Sequence, residues 1–242
     1  GLAILDAMTT AASSLELDFT ALTSTVATVD MALESNAGVT LNTGGGDDVI
    51  TMTISSVGDT ISSGAGADGI TTAIAQLTSA DTVNGGAGTD TLTFSDVGAI
   101  ADADFTNVSN IEALTLADGT NTIVLGAEYA ESGSVTITGG TGADSITLGS
   151  GVTTAQTVAL TTAGNDTVAA TGATGVITVT MDDADLTAGD TLTGGSASDV
   201  LTLTGTGPQV TAASLANVTS FETIKVATNA ALDLVLNDAN TV

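Results

Sequence analysis

Residues Gly85–Thr93 read Gly-Gly-Ala-Gly-Thr-Asp-Thr-Leu-Thr, and residues Gly139–Thr147 read Gly-Gly-Thr-Gly-Ala-Asp-Ser-Ile-Thr. Both stretches fit the pattern G-G-x-G-x-D-x-U-x without a mismatch, where U is a large aliphatic residue. The glycines allow backbone conformations that other residues avoid, and the sixth-position aspartate supplies a carboxylate oxygen. The aliphatic residue at the eighth position is placed to enter a core. Two perfect copies therefore predict a repeated unit, in which a tight turn is followed by a strand.

Imperfect copies of the pattern surround the two perfect ones. They lie at residues 43–50, 63–70, 162–168 and 194–201, and each keeps the aspartate and the aliphatic residue. Three aspartates also have a second aspartate nine residues earlier, so that each pair would lie one half-coil apart: Asp59/Asp68, Asp81/Asp90 and Asp190/Asp199. This repetition predicts a mainly β fold, in which short parallel strands stack as a β-roll or β-solenoid.

Several segments between the glycine clusters alternate aliphatic with hydroxyl residues. A period of two with many β-branched residues indicates half-buried strands. The predicted strands are Val49–Ile54, Thr91–Phe94, Val135–Thr138, Gly175–Thr180 and Val200–Thr204.

Carboxylates beside glycine turns provide the hard oxygen ligands that Ca²⁺ prefers. Ca²⁺ takes about six to eight oxygen ligands, more than one turn can supply, so a shared ion needs ligands from neighbouring half-coils. We therefore predict Ca²⁺ as the cofactor, held by aspartates and glycine carbonyls. In the perfect copies the predicted ligands are Gly86, Gly88, Asp90, Gly140, Gly142 and Asp144. In the imperfect copies they are Gly46, Asp48, Asp59, Gly64, Gly66, Asp68, Asp81, Gly164, Asp166, Asp190, Gly195 and Asp199.

Other readings stay open for some of these carboxylates. An aspartate in an imperfect copy could instead cap a turn at the surface. The run Asp182–Asp185 reads first as a solvated acidic loop, with ligation as the alternative. Glu112 and Glu222 occupy matched places beside apolar strand residues. They read first as structural carboxylates that accept hydrogen bonds from neighbouring backbone amides, and second as ligands.

The nonapeptides resemble those of the RTX (repeats-in-toxin) group of secreted bacterial proteins, and more narrowly its calcium-binding S-layer and surface-array members. The copies are scattered among Thr-, Ala- and Val-rich strands, which favours that branch. A second signature, N-V-x-x-Φ-E-x-Φ-x-Φ, lies within Phe105–Leu116 and again within Leu215–Val226, and segments of this kind are familiar from large RTX surface proteins. The resemblance implies calcium in the Gly/Asp turns and an extracellular or cell-surface location, reached by type I secretion.

Composition agrees with a cation as the partner. The chain of 242 residues carries 28 acidic residues against one basic residue, Lys225, and its formal net charge is −27. Such a chain repels phosphates, so we predict no nucleic-acid partner. It also contains no cysteine, so it cannot form disulfides, and we expect bound metal to stabilise the fold in their place.

The residue types that most enzymes need are missing. Without histidine, the chain can form neither a serine triad nor the usual zinc-protease site. Paired carboxylates could cleave glycosides, but aromatic residues, the usual platforms for sugars, make up 2% of the chain. We therefore predict no enzymatic activity. No apolar run is long enough to cross a bilayer, so we also predict no membrane insertion.

The first 38 residues differ from the rest of the chain. Their apolar residues recur at alternating intervals of three and four from Leu5 to Leu33, as in a heptad seam. This spacing predicts an N-terminal helical segment over residues 1–38, which either packs against the roll or pairs with another subunit.

From Val39 onward the chain reads as an internal duplication. Asp81 and Asp90 recur as Asp190 and Asp199, and Glu112 recurs as Glu222 at nearly the same offset. We therefore predict two RTX-like β repeats, residues 39–130 and residues 131–242.

These features together predict a calcium-dependent structural protein of a bacterial cell surface. Its most specific form is a self-assembling S-layer or extracellular filament subunit, whose partner is another copy of itself, with cell-surface polysaccharide as a further candidate partner. Two alternatives remain: a biofilm-matrix or adhesin stalk repeat, and a calcium-binding tail of a larger secreted RTX protein.

Overall fold

The computed structural model describes residues 1–5, 14–35, 37–52, 57–129, 135–160, 164–205 and 210–226. These residues form short β-strands joined by turns, with 3₁₀ turns at Ile74–Gln76 and Asp102–Phe105. The strands are β1 Leu2–Leu5, β2 Leu15–Asp18, β3 Thr28–Leu33, β4 Val39–Asn42, β5 Val49–Thr51, β6 Thr60–Ser62, β7 Gly69–Thr72, β8 Thr82–Asn84, β9 Thr91–Phe94, β10 Ala99–Ile100, β11 Val108–Ser109, β12 Ala113–Thr115, β13 Thr122–Leu125, β14 Thr136–Thr138, β15 Ser145–Leu148, β16 Gln156–Ala159, β17 Thr167–Ala169, β18 Ile177–Asp182, β19 Thr191–Thr193, β20 Val200–Thr204, β21 Val218–Thr219 and β22 Thr223–Val226.

The chain divides into two compact units. The first unit contains Gly1–Asp96 and Ala103–Thr115, and the second contains Val97–Asp102 and the described residues from Leu116 onward. Both units are parallel β-solenoids, as predicted, because consecutive strands alternate between two sheets and each strand pairs with the strand one coil away. The internal duplication, in which residues 131–242 repeat residues 39–130, stays a prediction from the sequence.

In the first unit, one sheet has the strand order β1-β3-β5-β7-β9-β12 and the other has the order β2-β4-β6-β8-β11. All described pairs in these sheets are parallel. In the second unit, the orders are β14-β16-β18-β20-β22 and β10-β13-β15-β17-β19-β21, again with parallel pairs. Each coil thus contributes one strand to each sheet.

The core of each coil is a thin aliphatic layer between the two sheets. In the first unit, register places one apolar side chain of each strand directly over the next, and each is at most 2% exposed: Val29, Ile50, Ile70, Leu92 and Leu114. The neighbouring column faces outward and is rich in hydroxyl groups: Thr51, Thr71, Thr93 and Thr115. In the alternating sequence pattern, the aliphatic residues therefore face the core and the hydroxyl residues face solvent.

The predicted N-terminal helix is wrong for the described part of residues 1–38, which forms β1, β2 and β3. Burial in β3 follows a period of two, since Val29 and Met31 are buried while Thr28 and Asp30 are exposed. Leu33, a member of the predicted seam, is 62% exposed. Pairing with the neighbouring strands β4 and β5 overrides a heptad spacing whose many threonines give little intrinsic helix propensity. Residues 6–13 of the predicted helix lie outside the described residues.

Candidate metal centre

The glycine turns of the first unit stack one above another, and their stacking explains why they need glycine. The N–H of Ala65 donates to the carbonyl of Gly44, and the N–H of Ala87 donates to the carbonyl of Gly64, both at 2.8 Å. Gly88 has a φ of 150°, and a Cβ added there would lie 1.7 Å from the carbonyl oxygen of Gly66. The turns therefore leave no room for a side chain on this glycine.

This steric requirement extends to every glycine that was predicted as a ligand. At each of them, an added Cβ would lie 3.0 Å or less from a backbone atom of the preceding coil: Gly46, Gly64, Gly66, Gly86, Gly88, Gly140, Gly142, Gly164 and Gly195. The fold alone thus accounts for these glycines. Their role as carbonyl ligands remains a prediction.

The aspartates of these turns form a ladder along the first unit. The N–H of Asp48 donates to Oδ1 of Asp68 (N···O 2.7 Å), and the N–H of Asp68 donates to Oδ1 of Asp90 (2.9 Å). The N–H of Asp90 donates to Oε2 of Glu112 at 2.8 Å. All three aspartates are at most 2% exposed. Each carboxylate therefore ties its own coil to the coil before it.

A second ladder runs through the first unit on the turns that precede β4, β6 and β8. The N–H of Val39 donates to Oδ1 of Asp59, and the N–H of Asp59 donates to Oδ1 of Asp81, both at 2.8 Å. The other oxygen of Asp81 accepts the N–H and the hydroxyl of Thr78 at 2.8 and 2.9 Å. Asp81 is thus a buried turn cap whose oxygens are both hydrogen-bonded.

The second unit repeats the arrangement. The N–H groups of Asn121, Asp144 and Asp166 donate to Oδ1 of Asp144, Asp166 and Asp190 in turn, at 3.0, 2.8 and 2.8 Å. Thr187 caps the other oxygen of Asp190 with its N–H and hydroxyl at 2.7 and 3.0 Å, as Thr78 caps Asp81 in the first unit. The ladder is therefore a recurrent element of this fold.

A shorter ladder in the second unit contains Asp199. Its Oδ1 accepts the N–H of Ile177, its Oδ2 accepts the N–H of Gly195, and its own N–H donates to Oε2 of Glu222 at 2.7 Å. Glu222 thus matches Glu112 of the first unit. For both glutamates, the preferred reading as structural carboxylates that accept backbone amides is confirmed.

The ladders change how the aspartates are paired. The sequence suggested pairs one half-coil apart, such as Asp59 with Asp68. The hydrogen bonds instead connect aspartates one full coil apart, and they place Asp59 and Asp68 on separate ladders. The physical reason is the strand register, which brings equivalent positions of successive coils together at a spacing of about 4.8 Å.

The ladders leave particular carboxylate oxygens buried without a partner. Oδ2 of Asp48, Asp68 and Asp90 is buried outside hydrogen-bond geometry, with the Ser63 hydroxyl near the Asp68 carboxylate. Burial raises the pKa of Asp68 and of Asp90, although the backbone hydrogen bond that each accepts opposes the rise. Oδ2 of Asp144 is also buried outside hydrogen-bond geometry, with the Gly140 N–H nearby, and burial raises the pKa of this carboxyl too.

The unpartnered oxygens of Asp48 and Asp90, and the buried oxygens of Asp68 and Asp144, fit a cation. A buried carboxylate oxygen without a donor is costly unless a proton or a positive charge compensates it. Oxygen is also the ligand type that Ca²⁺ prefers, so Asp48, Asp68, Asp90 and Asp144 are the side chains that would hold it. Among the described residues, no three carboxylates come together as a metal-binding group, so glycine-turn carbonyls would have to complete the ligand shell.

Other aspartates of the predicted ligand set have no carboxylate oxygen left without a hydrogen bond. Both oxygens of Asp81, Asp190 and Asp199 already accept N–H or O–H groups of the protein. The structure gives these aspartates a structural role. Their ligation remains a prediction.

Two ladder positions that the sequence reading missed carry amides in place of carboxylates. Asn121 donates through Nδ2 to the carbonyl of Ala117 at 2.8 Å and to Oδ1 of Asp144 at 2.9 Å. Gln156 accepts the N–H of Val135 at 3.0 Å and the hydroxyl of buried Tyr129 at 2.9 Å. Asn121 lies one coil length before Asp144, and this spacing was the signal that could have revealed it.

Hydroxyl side chains hold two turns of the first unit together. The hydroxyl of Thr43 donates to the carbonyl of Ser63, and the hydroxyl of Ser63 donates to the carbonyl of Gly85, both at 2.7 Å. These residues occupy the first position of imperfect nonapeptides, where the perfect copies have glycine. A hydroxyl at this position therefore donates a hydrogen bond to the next coil, which glycine has no side chain to provide.

The acidic run Asp182–Asp185 is only partly the solvated loop that the sequence suggested. Asp183 is 6% exposed, and its N–H donates to the carbonyl of Thr204 at 2.7 Å. Oδ1 of Asp182 accepts the N–H of Ala184 at 2.9 Å. Burial, together with the charges of Asp182, Asp190 and Asp183, raises the pKa of Asp185. The alternative of ligation by this run remains untested.

The raised pKa values predict an acid-stabilised fold when calcium is removed. Burial raises the pKa of Asp166 from 3.8 to about 6, with the charges of Asp144, Asp190 and Asp185 adding to the effect. Because the folded pKa is above the unfolded one, this group favours folding below pH 3.8, and the benefit is lost as the pH rises through about 6. In chelator, the β-sheet circular dichroism signal should therefore increase from about pH 7 to about pH 5.

The variant Asp166→Asn is the matched control for this prediction. An asparagine keeps an acceptor for the N–H of Asp144 but does not titrate. Its β signal should depend less on pH than that of the native chain. A native chain whose β signal in chelator falls on acidification over the same range would contradict the assignment.

Comparison with known families agrees with the turn chemistry. A family model for the RTX calcium-binding nonapeptide repeat (4 copies) matches residues 78–95 and 129–154, which include both perfect nonapeptides. Neither a curated protein nor a solved structure matches the chain. Within the described ranges, no helix has the length and apolar character required to cross a bilayer.

Proposed function

We propose, from the premise that this chain carries RTX calcium-binding nonapeptide repeats, that it is a calcium-dependent structural protein of a bacterial cell surface. In its most specific form, the proposed role is that of a subunit of a self-assembling S-layer or extracellular filament. The observation that carries the proposal is the stack of buried Asp48, Asp68 and Asp90 Oδ2 atoms, none of which accepts a hydrogen bond of ordinary geometry. The role is non-enzymatic.

Calcium would act on folding through these carboxylates. Without a cation, the chain must bury Asp68 and Asp90 either charged or protonated, and its net charge of −27 opposes any compact state. When bound, Ca²⁺ supplies the positive charge that compensates the buried oxygens. The ladders then close, because their backbone hydrogen bonds form only when successive coils are stacked.

This requirement suits a protein that folds after export. RTX repeat proteins are typically secreted, and extracellular calcium modules bind with Kd on the order of 10⁻⁴–10⁻³ M. In a low-calcium compartment such a chain remains expanded, and outside the cell it closes. We place the protein at the cell surface, reached by type I secretion, on this basis.

The sheet edges support self-assembly. Among the described strands of the first unit, β1 and β2 are outermost, and each pairs on one side. In the second unit, β21 and β22 have the corresponding places. A strand at the edge of a sheet presents backbone donors and acceptors to another strand, and the partner that we propose for it is a second copy.

Particle size in calcium tests the assembly part of the proposal. Purified protein in millimolar Ca²⁺ should form ordered arrays or filaments, visible by negative-stain electron microscopy and by a rise in light scattering, while Mg²⁺ should produce neither. Folded monomers in calcium would sink the lattice and filament roles. They would favour a stalk repeat or the calcium-binding tail of a larger secreted protein, with which the RTX repeats are equally compatible.

A further inference from the structure

The two glutamates of the N-V-x-x-Φ-E signature each accept the backbone N–H of an aspartate one coil earlier, and Glu112 occupies the last position of the aspartate ladder of the first unit. In the first unit, Glu112 follows Asp90 on the ladder, and in the second unit Glu222 follows Asp199. The coil that carries each glutamate stacks directly on a Gly-Gly turn, because the N–H of Gly85 donates to the carbonyl of Ser109 at 3.1 Å. The N–H of Gly194 donates to the carbonyl of Thr219 at 3.0 Å in the same way.

The turn before each glutamate lacks the glycine segment. Residues 85–89 separate β8 from Asp90, whereas residues 110–111 alone separate β11 from Glu112. The second unit shows the same contrast, since residues 194–198 precede Asp199 and residues 220–221 precede Glu222. The shorter turn contains fewer backbone carbonyls that could serve as ligands to an ion.

The longer side chain compensates for the shorter turn. Glutamate has one more methylene than aspartate, and its Oε2 reaches the same backbone N–H that an aspartate serves elsewhere on the ladder. The N···O distances are 2.8 Å for Glu112 and 2.7 Å for Glu222, as on the aspartate steps. The choice of glutamate at this position therefore has a geometric reason.

Further contacts fix the same turn in both units. Asn110 and Ser220 have left-handed φ values of 53° and 58°, and each directs its carbonyl over the first glycine of the turn beneath. A Cβ added to Gly85 would lie 2.0 Å from the Asn110 oxygen, and one added to Gly194 would lie 1.9 Å from the Ser220 oxygen. The first glycine is thus required by the glutamate coil.

The asparagine of the signature anchors this coil to the turn on the opposite side. Nδ2 of Asn107 donates to the carbonyl of Ser79 at 3.0 Å, and Nδ2 of Asn217 donates to the carbonyl of Ala188 at 3.1 Å. The asparagine and the glutamate of the signature therefore each make a matched contact in the two units.

We infer that the N-V-x-x-Φ-E coil of the first unit is a terminator of its calcium-binding turns: Glu112 accepts the last hydrogen bond of the Asp48–Asp68–Asp90 ladder and ends the run of ion-binding turns. The position of this coil in the sequence then sets how many calcium-binding turns the first unit contains on this ladder. This inference rests on the proposed calcium binding by the glycine turns, and it assigns Glu112 to positioning the last turn without contact to an ion.

The direct test converts the terminator into a glycine turn. Residues 110–112 are replaced by the sequence of residues 85–90, and bound Ca²⁺ per folded chain is counted by isothermal titration and by elemental analysis after desalting. The variant should bind one more ion than the native chain. A folded variant with the native ion count would overturn the inference.

If the variant with the longer turn does not fold, two single substitutions test whether Glu112 positions the turn or binds the ion. Glu112→Gln keeps an acceptor oxygen, so the ion count and the slow hydrogen exchange of the Asp90 amide should both be unchanged. Glu112→Asp shortens the side chain by one methylene, so we expect a weaker hydrogen bond to the Asp90 amide, which should exchange about tenfold faster at an unchanged ion count. A lower ion count in Glu112→Gln would show that the glutamate is a ligand and would reject the inference. A native chain that binds no calcium would instead reject the proposed function, so the two failures are distinct.

Discussion

Gly88→Ala should be among the most destabilising single substitutions in this chain. The added Cβ would lie 1.7 Å from the Gly66 carbonyl oxygen, and the φ of 150° is unfavourable for alanine. Backbone strain of this kind costs about 1–3 kcal/mol, and the clash with a stacked coil adds to it. In saturating calcium, urea unfolding should show a loss of about 3 kcal/mol or more in the free energy of unfolding.

Gly69→Ala is the matched control. Gly69 lies in β7 of the same unit, has ordinary negative φ, and the nearest atom to its added Cβ, the carbonyl oxygen of Asp48, is 3.9 Å away. Its neighbour in register across β9 is Thr91, so a side chain continues an existing outward column. Gly69→Ala should be neutral or slightly stabilising. Equal losses for the two variants would contradict the stacked-turn geometry.

Asp90→Asn should separate the structural role of the ladder from its role toward calcium. The amide keeps an oxygen for the N–H of Asp68 but removes the charge. Asn121 and Gln156 show that amides occupy ladder positions in the native fold. The calcium concentration at half-maximal folding should therefore rise about tenfold, equivalent to about 1.4 kcal/mol, while the β signal in saturating calcium is retained.

Asp90→Ala completes the comparison. It removes the charge and also leaves the buried N–H of Asp68 without an acceptor, which costs about a further 1–3 kcal/mol at saturating calcium. Urea unfolding of the two variants in excess calcium measures this difference. If Asp90→Asn required no more calcium than the native chain, the carboxylate would be a structural group alone.

The solenoid could be predicted because its sequence signals are local. The alternation of aliphatic and hydroxyl residues gave the strands Thr91–Phe94 and Val200–Thr204 at their observed bounds. The two perfect nonapeptides gave the turns between strands. Both signals arise from short-range geometry, namely the period of two in a strand and the freedom of glycine in a turn.

The N-terminal strands were mispredicted because their cause is not local. The spacing from Leu15 to Leu33 fits a heptad as well as it fits separate strands with exposed turns between them. What decides the outcome is the hydrogen-bonding edge that β4 and β5 offer to β2 and β3, and a window of sequence does not contain that edge. Tertiary pairing outweighed the apparent period.

The candidate site was located from sequence, but its internal bonding was not. Composition and spacing identified the aspartates, since Ca²⁺ chemistry requires hard oxygens. The hydrogen bond from Asp68 to Asp90 joins residues one full coil apart, and that distance depends on the lengths of two turns and two strands. The caps on Asp81 and Asp190 by Thr78 and Thr187 could have been read as short-range turn motifs.

Whether calcium drives the closure of these coils can be measured by titrating the purified chain from chelator into Ca²⁺ while following its β-sheet circular dichroism, with Mg²⁺ as the control. We expect little β signal in chelator, a cooperative rise between submillimolar and millimolar Ca²⁺, and no rise with Mg²⁺. A chain that is fully folded in chelator, with a signal unchanged by calcium, would contradict this expectation and would leave the glycine turns and aspartate ladders as purely structural features.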